Sequence, residues 1–214
     1  MADLAIWMAG HVSVPIYPVL NEDTVRYILA HSEANLLMLG GLDDWDGMRG
    51  GVPESLPIVT LPGAPDLSRR AHTRSWNDLL AANSPLAGQP RRGDEELASV
   101  VYTSGTTGKP KGVMLSFRSF AVGAGVLDQI LPLGPSDRML SYLPLAHVFE
   151  GAAVFASSLR YGFKVYFSES LATFSVDMQR AQPTIFHSVP RLWEKFRLGI
   201  LSKMPEHELD ALLR

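Results

Sequence analysis

Residues 97–115 read LASVVYTSGTTGKPKGVML. The two ends of this stretch, residues 97–102 and 113–115, are mainly apolar runs with the length of short β-strands. Between them lie four hydroxyl side chains, three glycines and two lysines. A loop of this composition can offer backbone N–H groups, hydroxyl donors and ammonium charge to one polyphosphate, and its glycines let the backbone approach phosphate oxygens closely. The stretch therefore predicts a phosphate-binding loop between two strands.

This loop differs from the Walker A loop of P-loop NTPases. That motif requires G-x-x-x-x-G-K followed by Ser or Thr at the start of a helix. Here two threonines separate Gly105 from Gly108, Pro110 follows Lys109, and the next predicted element is a strand. A P-loop NTPase is therefore disfavoured. The alternative without a binding function is a solvent-exposed Ser/Thr/Gly hairpin loop.

Strands and helices alternate after this loop. The apolar patterns predict helices at residues 119–130, 148–159, 175–181 and from 190 onward, and strands at 139–143, 164–167 and 184–187. Repeated strands and helices of this kind predict an α/β fold with right-handed crossovers.

Before the loop, the clearest element is a helix that begins after Asn21. Asn21 is a favoured N-cap, and Glu22 and Asp23 follow in the first turn, where the helix dipole favours acids. An extended segment at residues 12–18 and a short strand at 36–39 flank this helix, which predicts a strand–helix–strand unit of a parallel sheet. A strand at 58–61 and a short helix capped by Ser75 are predicted further on.

Residues 84–94 contain two prolines and an Arg91–Arg92 pair, and they are the best candidate for a linker. We therefore predict two portions. Residues 1–90 form a first α/β portion with an irregular Gly/Pro-rich stretch, and residues 91–214 form an α/β portion that carries the phosphate-binding loop. The chain begins in an apolar helical segment at 3–9 and ends in another at 206–214, so we expect it to be part of a larger protein.

Composition excludes several classes of protein. Among 214 residues, 19 Lys+Arg stand against 22 Asp+Glu, and a formal net charge of -3 disfavours nucleic-acid binding. The chain has no cysteine, which excludes disulfides, thiolate metal sites and a cysteine nucleophile. No apolar stretch approaches the ~20 residues that span a bilayer, so we expect a cytoplasmic protein.

Three motifs resemble one family. Residues 103–111 resemble the phosphate-binding signature of the adenylate-forming (AMP-binding) superfamily, which includes acyl-CoA synthetases, luciferases and nonribosomal-peptide adenylation domains. Residues 141–150, SYLPLAHVFE, resemble the substrate-side motif of this superfamily in the form typical of long-chain fatty acid–CoA ligases. Residues 188–195, SVPRLWEK, are similar to the same branch. The resemblance implies part of the large N-terminal domain of such an enzyme.

This resemblance implies an ATP-dependent activation of a long-chain fatty acid to acyl-adenylate and then to acyl-CoA, with Mg2+ as cofactor and coenzyme A as the second substrate. Electrostatic stabilisation of the reacting phosphates would suit this chemistry. It also implies two catalytic residues, His147 beside the substrate carboxylate and Lys111 on the phosphates. The implied ATP-binding residues are Thr103, Ser104, Gly105, Thr106, Thr107, Gly108, Lys109, Pro110, Lys111 and Gly112. No metal ligand is identified, and His11, His31, His72, His187 and His207 are interpreted as structural.

The sequence also departs from the family. Phe117 stands where a His is usual, and Gly151 stands where this branch often has Arg. The later Tyr-Gly-x-Thr-Glu motif, the ribose-binding Asp, the hinge and the C-terminal catalytic Lys have no counterpart in these 214 residues. A truncated, non-catalytic nucleotide-binding fragment is therefore the alternative, with the rest of the ligase as its missing partner. Peripheral membrane contact would suit a fatty acid enzyme, although no basic amphipathic helix argues for it.

Overall fold

The computed structural model describes residues 2–88, 90–103, 108–126, 131–204, 207–208 and 211. Its helices are α1 (Ala2–Met8), α2 (Glu22–His31), α3 (Asp46–Arg49), α4 (Trp76–Ala82), α5 (Phe117–Gly125), α6 (Ser157–Tyr161), α7 (Phe174–Ala181) and α8 (Pro190–Leu201). Its strands are β1 (Leu37–Leu39), β2 (Ile58–Thr60), β3 (Thr73–Ser75), β4 (Leu97–Thr103), β5 (Lys111–Ser116), β6 (Arg138–Ser141) and β7 (Lys164–Phe167). A π-helix, Glu150–Ala156, leads directly into α6.

The strands of the described residues form three small sheets. Strands β1, β2 and β3 are parallel, β6 and β7 are parallel, and β4 and β5 form an antiparallel hairpin. This arrangement confirms the mixed α/β class. Direct pairing of β4 with β5 leaves no crossover between them, so the alternation predicted from the sequence does not extend through the hairpin.

Helix α2 forms where the cap signals predict it. The Asn21 side chain accepts a hydrogen bond from the backbone N–H of Thr24 at 2.9 Å, which satisfies one of the free donors of the first turn. Val25, Ile28 and Leu29 recur at helical spacing and are all buried. Val25 and Leu29 anchor the helix against the β1–β2 sheet, in a core cluster that includes Leu39 and Ile58.

The prediction that residues 12–39 form a strand–helix–strand unit of one parallel sheet is wrong about which segments pair. In the described residues, β1 pairs with β2, whereas the segment at 12–18 contributes only Ser13, which forms a parallel bridge with Ser99 of β4. Pro15 and Pro18 cannot donate backbone hydrogen bonds, so this segment cannot extend a regular ladder. Local pattern predicted the extended conformation but not the partner strand.

A second correction concerns residues 184–187, which are not a strand. The hydroxyl of Thr184 accepts a hydrogen bond from the Arg138 backbone N–H at 3.0 Å and donates one to Asp137 at 2.8 Å. The backbone N–H of Thr184 donates a hydrogen bond to the Arg138 carbonyl at 3.0 Å. The Thr184 side chain thus takes the place of a strand partner at the start of β6.

Other predicted elements are confirmed with shifted ends. The helix predicted at 119–130 begins at Phe117, and residues 127–130 lie outside the described residues. The helix predicted at 148–159 contains the π-helix. Of the segment predicted at 206–214, the structure describes residues 207, 208 and 211, which are helical. No helix of the described part of the chain is long and apolar enough to cross a membrane.

Contacts across residue 90 join the two predicted portions. Trp7 of α1 donates its indole N–H to the carbonyl of Ala98 in β4 at 2.7 Å, and its ring packs against Phe117, Phe120 and Phe155. The Arg92 guanidinium donates to the Trp7 carbonyl at 3.1 Å. The boundary at residue 90 stays a prediction. The residues before it and the residues after it are joined by these hydrogen bonds and by the aromatic cluster around Trp7.

We expect Trp7→Ala to lower the free energy of unfolding by about 3–5 kcal/mol, because it leaves a cavity among three aromatic rings. Urea unfolding followed by circular dichroism measures this loss. Met8→Ala is the matched control, since Met8 lies on the same helix and is 52% exposed. Equal losses in the two variants would contradict the assignment of Trp7 as the anchor of α1.

Candidate functional site

The β4–β5 hairpin presents both ends of the predicted phosphate-binding loop. Thr103 at the end of β4 pairs with Lys111 at the start of β5, and Tyr102 pairs with Gly112. Ser104, Gly105, Thr106 and Thr107 lie outside the described residues. The structure thus brings Thr103 together with the stretch from Gly108 to Gly112 at one end of the hairpin. A strand follows the loop, in agreement with the distinction from a Walker A motif.

Two glycines of this loop are required by the local geometry. Gly108 has a φ of +88°, in the left-handed region that an L side chain rarely adopts. At Gly112, a Cβ would lie 2.7 Å from Cγ1 of Val100 and 3.3 Å from Cζ of Tyr102. Any side chain at position 112 would therefore press against Val100 and the Tyr102 ring. Glycine avoids this contact and allows β4 and β5 to pair in the observed register.

The two lysines of the loop are exposed but differ in their surroundings. Nζ of Lys109 lies 5.6 Å from the centroid of the Tyr27 ring, a cation–π distance, whereas Lys111 begins β5. Within the described parts of the chain, neither lysine forms an ion pair with a carboxylate. Both ammonium groups are thus uncompensated cations close to the loop, as an anionic ligand would require.

The second candidate element is the turn at residues 142–149, which we call the substrate-side segment. The His147 backbone N–H donates to the carbonyl of Pro144 at 2.8 Å, and the His147 carbonyl accepts from Glu150 at 3.0 Å and Gly151 at 3.2 Å. These bonds fix the backbone of His147 on both sides. Its ring atom Nδ1 is buried and has no hydrogen-bond partner among the residues that the structure describes.

Glu150 follows this segment as the first residue of the π-helix and is fully buried. Desolvation raises the pKa of its carboxyl group above the ordinary value, and the Ser141 hydroxyl and the backbone N–H groups of Leu143 and Tyr142 counteract this only in part. Neither carboxyl oxygen has a hydrogen bond of good geometry. A π-helix with a buried, incompletely satisfied acid is a combination that recurs at functional sites.

His187 lies against the other side of the segment. Its ring meets the Phe149 ring edge to face at 4.6 Å, and burial lowers the pKa of the imidazole. Both of its ring nitrogens are buried, and neither has a hydrogen-bond partner within the described part of the chain. The Tyr142 hydroxyl lies 2.9 Å from the hydroxyl of Ser188, so the structure brings the second and third sequence motifs side by side.

Sequence reasoning missed Glu150 and His187 as site residues. Glu150 offered a signal, since it is an acid at the end of an otherwise apolar decapeptide. His187 offered none, because a single histidine in an apolar run is most simply a packed core residue. Only the contact with Phe149 and the unpaired nitrogens set it apart.

A cleft of about 1050 Å³ connects the two elements. Tyr102 and Gly112 line it from the hairpin, Leu145 and Ala146 from the substrate-side segment, and His31 from α2. The β4–β5 hairpin and the segment at residues 142–149 therefore border one space. Its size suits a small-molecule substrate.

The described residues contain no group of three His, Asp or Glu side chains arranged to hold a metal ion. Mg2+ often binds through substrate phosphates with few protein ligands. The described part of the site thus supplies no protein cage for the Mg2+ that the family resemblance implies.

With this geometry established, comparison with known proteins gives the family. The family model for AMP-binding enzymes matches residues 1–214, so the chain belongs to the AMP-binding enzyme family. This finding confirms the resemblance carried by the three motifs.

Individual relatives agree with this assignment. The chain is 28% identical over 210 residues to long chain acyl-CoA synthetase 2 of Arabidopsis thaliana, which aligns with 91% of this chain and 32% of that protein. It is 30% identical to the peroxisomal long chain acyl-CoA synthetase 6 of the same plant, with 94% of this chain and 30% of that protein covered. The chain thus spans about a third of the length of these curated relatives.

Comparison with solved structures also agrees with this family assignment. The A-PCP didomain of carboxylic acid reductase from Segniliparus rugosus, solved in complex with AMP, superposes with a TM-score of 0.76 and 25% identity. The superposition covers 94% of this chain and 32% of that one. The predicted fold, a portion of an adenylate-forming N-terminal domain, is confirmed.

Glu150 gives a testable pH dependence. Its pKa in the folded protein lies above the ordinary value near 4.3, so its contribution to stability is full below that value and is lost as the pH rises through the raised pKa. We expect Glu150→Gln to abolish this loss. The free energy of unfolding of the variant minus that of the natural protein should therefore increase as the pH rises from about 4.

Urea unfolding at a series of pH values measures this difference. Glu194→Gln removes one exposed carboxyl from α8 and controls for the loss of a negative charge. A Glu150→Gln difference that does not vary with pH would contradict the raised pKa.

Proposed function

We propose that this chain provides the phosphate-binding and carboxylate-binding parts of an enzyme that activates long-chain fatty acids with ATP and transfers them to coenzyme A. The observation that carries the proposal is the single cleft bordered by the phosphate-binding hairpin and the substrate-side segment. Membership of the AMP-binding family and the names of the acyl-CoA synthetase relatives support the reaction class.

In the first half-reaction, a carboxylate oxygen of the fatty acid attacks the α-phosphorus of ATP. The bond from this phosphorus to the bridging oxygen of the β-phosphate breaks, giving acyl-adenylate and pyrophosphate. Negative charge grows on the departing pyrophosphate, and fixed cationic and N–H donors stabilise it more strongly than they stabilise bound ATP. Lys111 and Lys109, with the donors of residues 103–108, would supply this stabilisation.

In this proposal His147 holds the attacking carboxylate. Its backbone is fixed by three hydrogen bonds, while its Nδ1 has no partner within the described structure. A ring nitrogen that needs a hydrogen-bond partner, on a backbone that cannot move freely, is suited to orient one substrate oxygen. The Pro144–Ala146 stretch before it lines the cleft.

A second candidate function is nucleotide binding without catalysis. The observation behind it is that the chain spans about a third of the length of the curated relatives it matches. A cytoplasmic location, peripheral membrane contact and the use of Mg2+ and coenzyme A stay predictions for the enzyme.

Two measurements on this chain separate the candidates. Equilibrium dialysis measures ATP binding, and fatty-acid-dependent exchange of labelled pyrophosphate into ATP measures adenylation. Binding with exchange supports the ligase function, whereas binding without exchange supports the nucleotide-binding alternative. A folded chain that neither binds ATP nor catalyses exchange would contradict both.

We expect Lys111→Ala to weaken ATP binding by about 10- to 150-fold, because a charge-assisted contact to phosphate contributes about 1.5–3 kcal/mol. In an enzyme that catalyses the second step, the same substitution should change the transfer from preformed acyl-adenylate to coenzyme A little. Lys164→Ala is the control, since Lys164 is an exposed lysine at the start of another strand. Equal ATP affinities of the two variants would contradict the role of Lys111.

His147→Ala should lower the rate of adenylate formation about 10²-fold while ATP affinity stays nearly unchanged, because the phosphates are bound elsewhere. His147→Asn should recover part of this rate through its side-chain hydrogen bond, and His147→Phe should not. Pre-steady-state adenylation and thermal unfolding of the same variants provide the measurements, with exposed His207→Ala as control.

The alternative for His147 is a role in packing. Under that alternative, His147→Ala would be destabilised and its folded fraction would form adenylate at the normal rate. That outcome would remove His147 from the substrate site.

A further inference from the structure

Helix α2 is hydrogen-bonded to the start of the phosphate-binding loop. The hydroxyl of Tyr102, the residue before Thr103 in β4, lies 2.7 Å from Nδ1 of His31, the last residue of α2. Their rings meet edge to face at a centroid distance of 5.8 Å. Tyr102 is 5% exposed, so solvent competes little for this hydrogen bond.

The same helix also contacts the other end of the loop. The Tyr27 ring stacks on the His31 ring at 5.2 Å with an interplanar angle of 27°. Nζ of Lys109 lies 5.6 Å from the centroid of the Tyr27 ring. Tyr27 and His31 are one helical turn apart, and through this stack they contact residues on both sides of the loop.

The β5 side of the hairpin leaves the Tyr102 ring little freedom. Tyr102 pairs with Gly112, and a Cβ at position 112 would lie 3.3 Å from Cζ of Tyr102. The ring is therefore held close against the bare backbone of Gly112, while its hydroxyl is bound by His31. A shift of α2 would move the residue from which the loop departs.

We propose that Tyr27 and His31 are positioning residues for the phosphate-binding loop. They hold Tyr102 at its start and Lys109 at its end, and they thereby set how the loop approaches the phosphates of ATP. The inference rests on the proposed function for the identity of the ligand, but the positioning of the loop can be observed without any ligand.

Burial raises the pKa of the Tyr102 hydroxyl, so this group stays a neutral phenol at neutral pH and can donate to His31. Replacing the tyrosine by phenylalanine keeps the ring and removes the hydroxyl, with its hydrogen bond to His31 and its interaction with the Ser32 side chain. Asparagine at position 31 places a side-chain oxygen near the place of Nδ1, whereas leucine cannot form the bond.

The first experiment follows backbone amide hydrogen exchange of this chain without ligand. Tyr102→Phe and His31→Leu should speed the exchange of the Thr103, Lys111 and Gly112 amides, which lie in the paired ends of β4 and β5, by several-fold, and His31→Asn should restore part of the protection. Tyr161→Phe is the matched control, since it also removes a tyrosine hydrogen bond, from Tyr161 to the Ala124 carbonyl at 3.2 Å, on another part of the molecule. Unchanged loop exchange in both Tyr102→Phe and His31→Leu would overturn the proposal.

The second experiment measures ATP binding to the same variants by titration calorimetry. The loss of one hydrogen bond that positions the loop should weaken ATP binding roughly 3- to 10-fold. Tyr27→Leu should have a similar effect through Lys109, and in Lys109→Met the further change Tyr27→Leu should have little effect. Variants that speed loop exchange yet bind ATP as the natural protein does would overturn the link to ATP.

These outcomes separate the inference from the proposed function. A natural chain that binds no ATP would contradict the proposed function, while faster loop exchange in Tyr102→Phe would still support Tyr27 and His31 as positioning residues. Should Tyr102→Phe not fold, the pair His31→Leu and His31→Asn gives the same test from the side of α2.

Discussion

Strand β4 is hydrogen-bonded along both edges, and the rest of the described structure depends on this constraint. Ser99 pairs with Leu115 of β5 on one edge and with Ser13 on the other. The Ala98 carbonyl accepts hydrogen bonds from the Ser13 N–H and from the indole of Trp7. A strand that is paired on both edges cannot slide, because a shift of one residue would turn its buried side chains outward. The position of Thr103, where β4 ends, is therefore fixed before any ligand binds.

The polar groups of the molecule fall into two kinds, and the contrast distinguishes structural from functional positions. Asp177 accepts hydrogen bonds from Thr173, Ser168 and the Glu169 N–H, and these bonds lower the pKa of its carboxyl group. Glu150 is far more buried, and within the described residues neither of its carboxyl oxygens has a hydrogen bond of good geometry. An unsatisfied buried polar group costs about 1–3 kcal/mol, so several of them close to one segment imply a role that outweighs stability.

Sequence reasoning succeeded where the determining residues are neighbours in the chain. The cap at Asn21 and the hairpin around residues 103–112 are local patterns, and both are confirmed. It failed where the partner is distant. The pairing of Ser13 with Ser99, the contact of His31 with Tyr102, and the use of the Thr184 side chain as a strand partner link residues tens of positions apart. Strand β3 was missed because Thr73–Ser75 is polar, and only its pairing with β2 makes it a strand.

The difference between local and distant contacts also applies to the phosphate-binding loop and the residues that hold its ends. A signature motif records the residues that touch a ligand, but the conformation of a glycine-rich loop has a high entropy unless its ends are fixed. Here Gly108 has a backbone conformation that other residues rarely adopt and Gly112 has no room for a side chain, and the residues that restrain the ends of the loop, Tyr27 and His31, come from the other side of the predicted linker at 84–94. A linker in the sequence therefore need not separate two units of function. The residues that can bind phosphate and the residues that hold them in place lie on opposite sides of it.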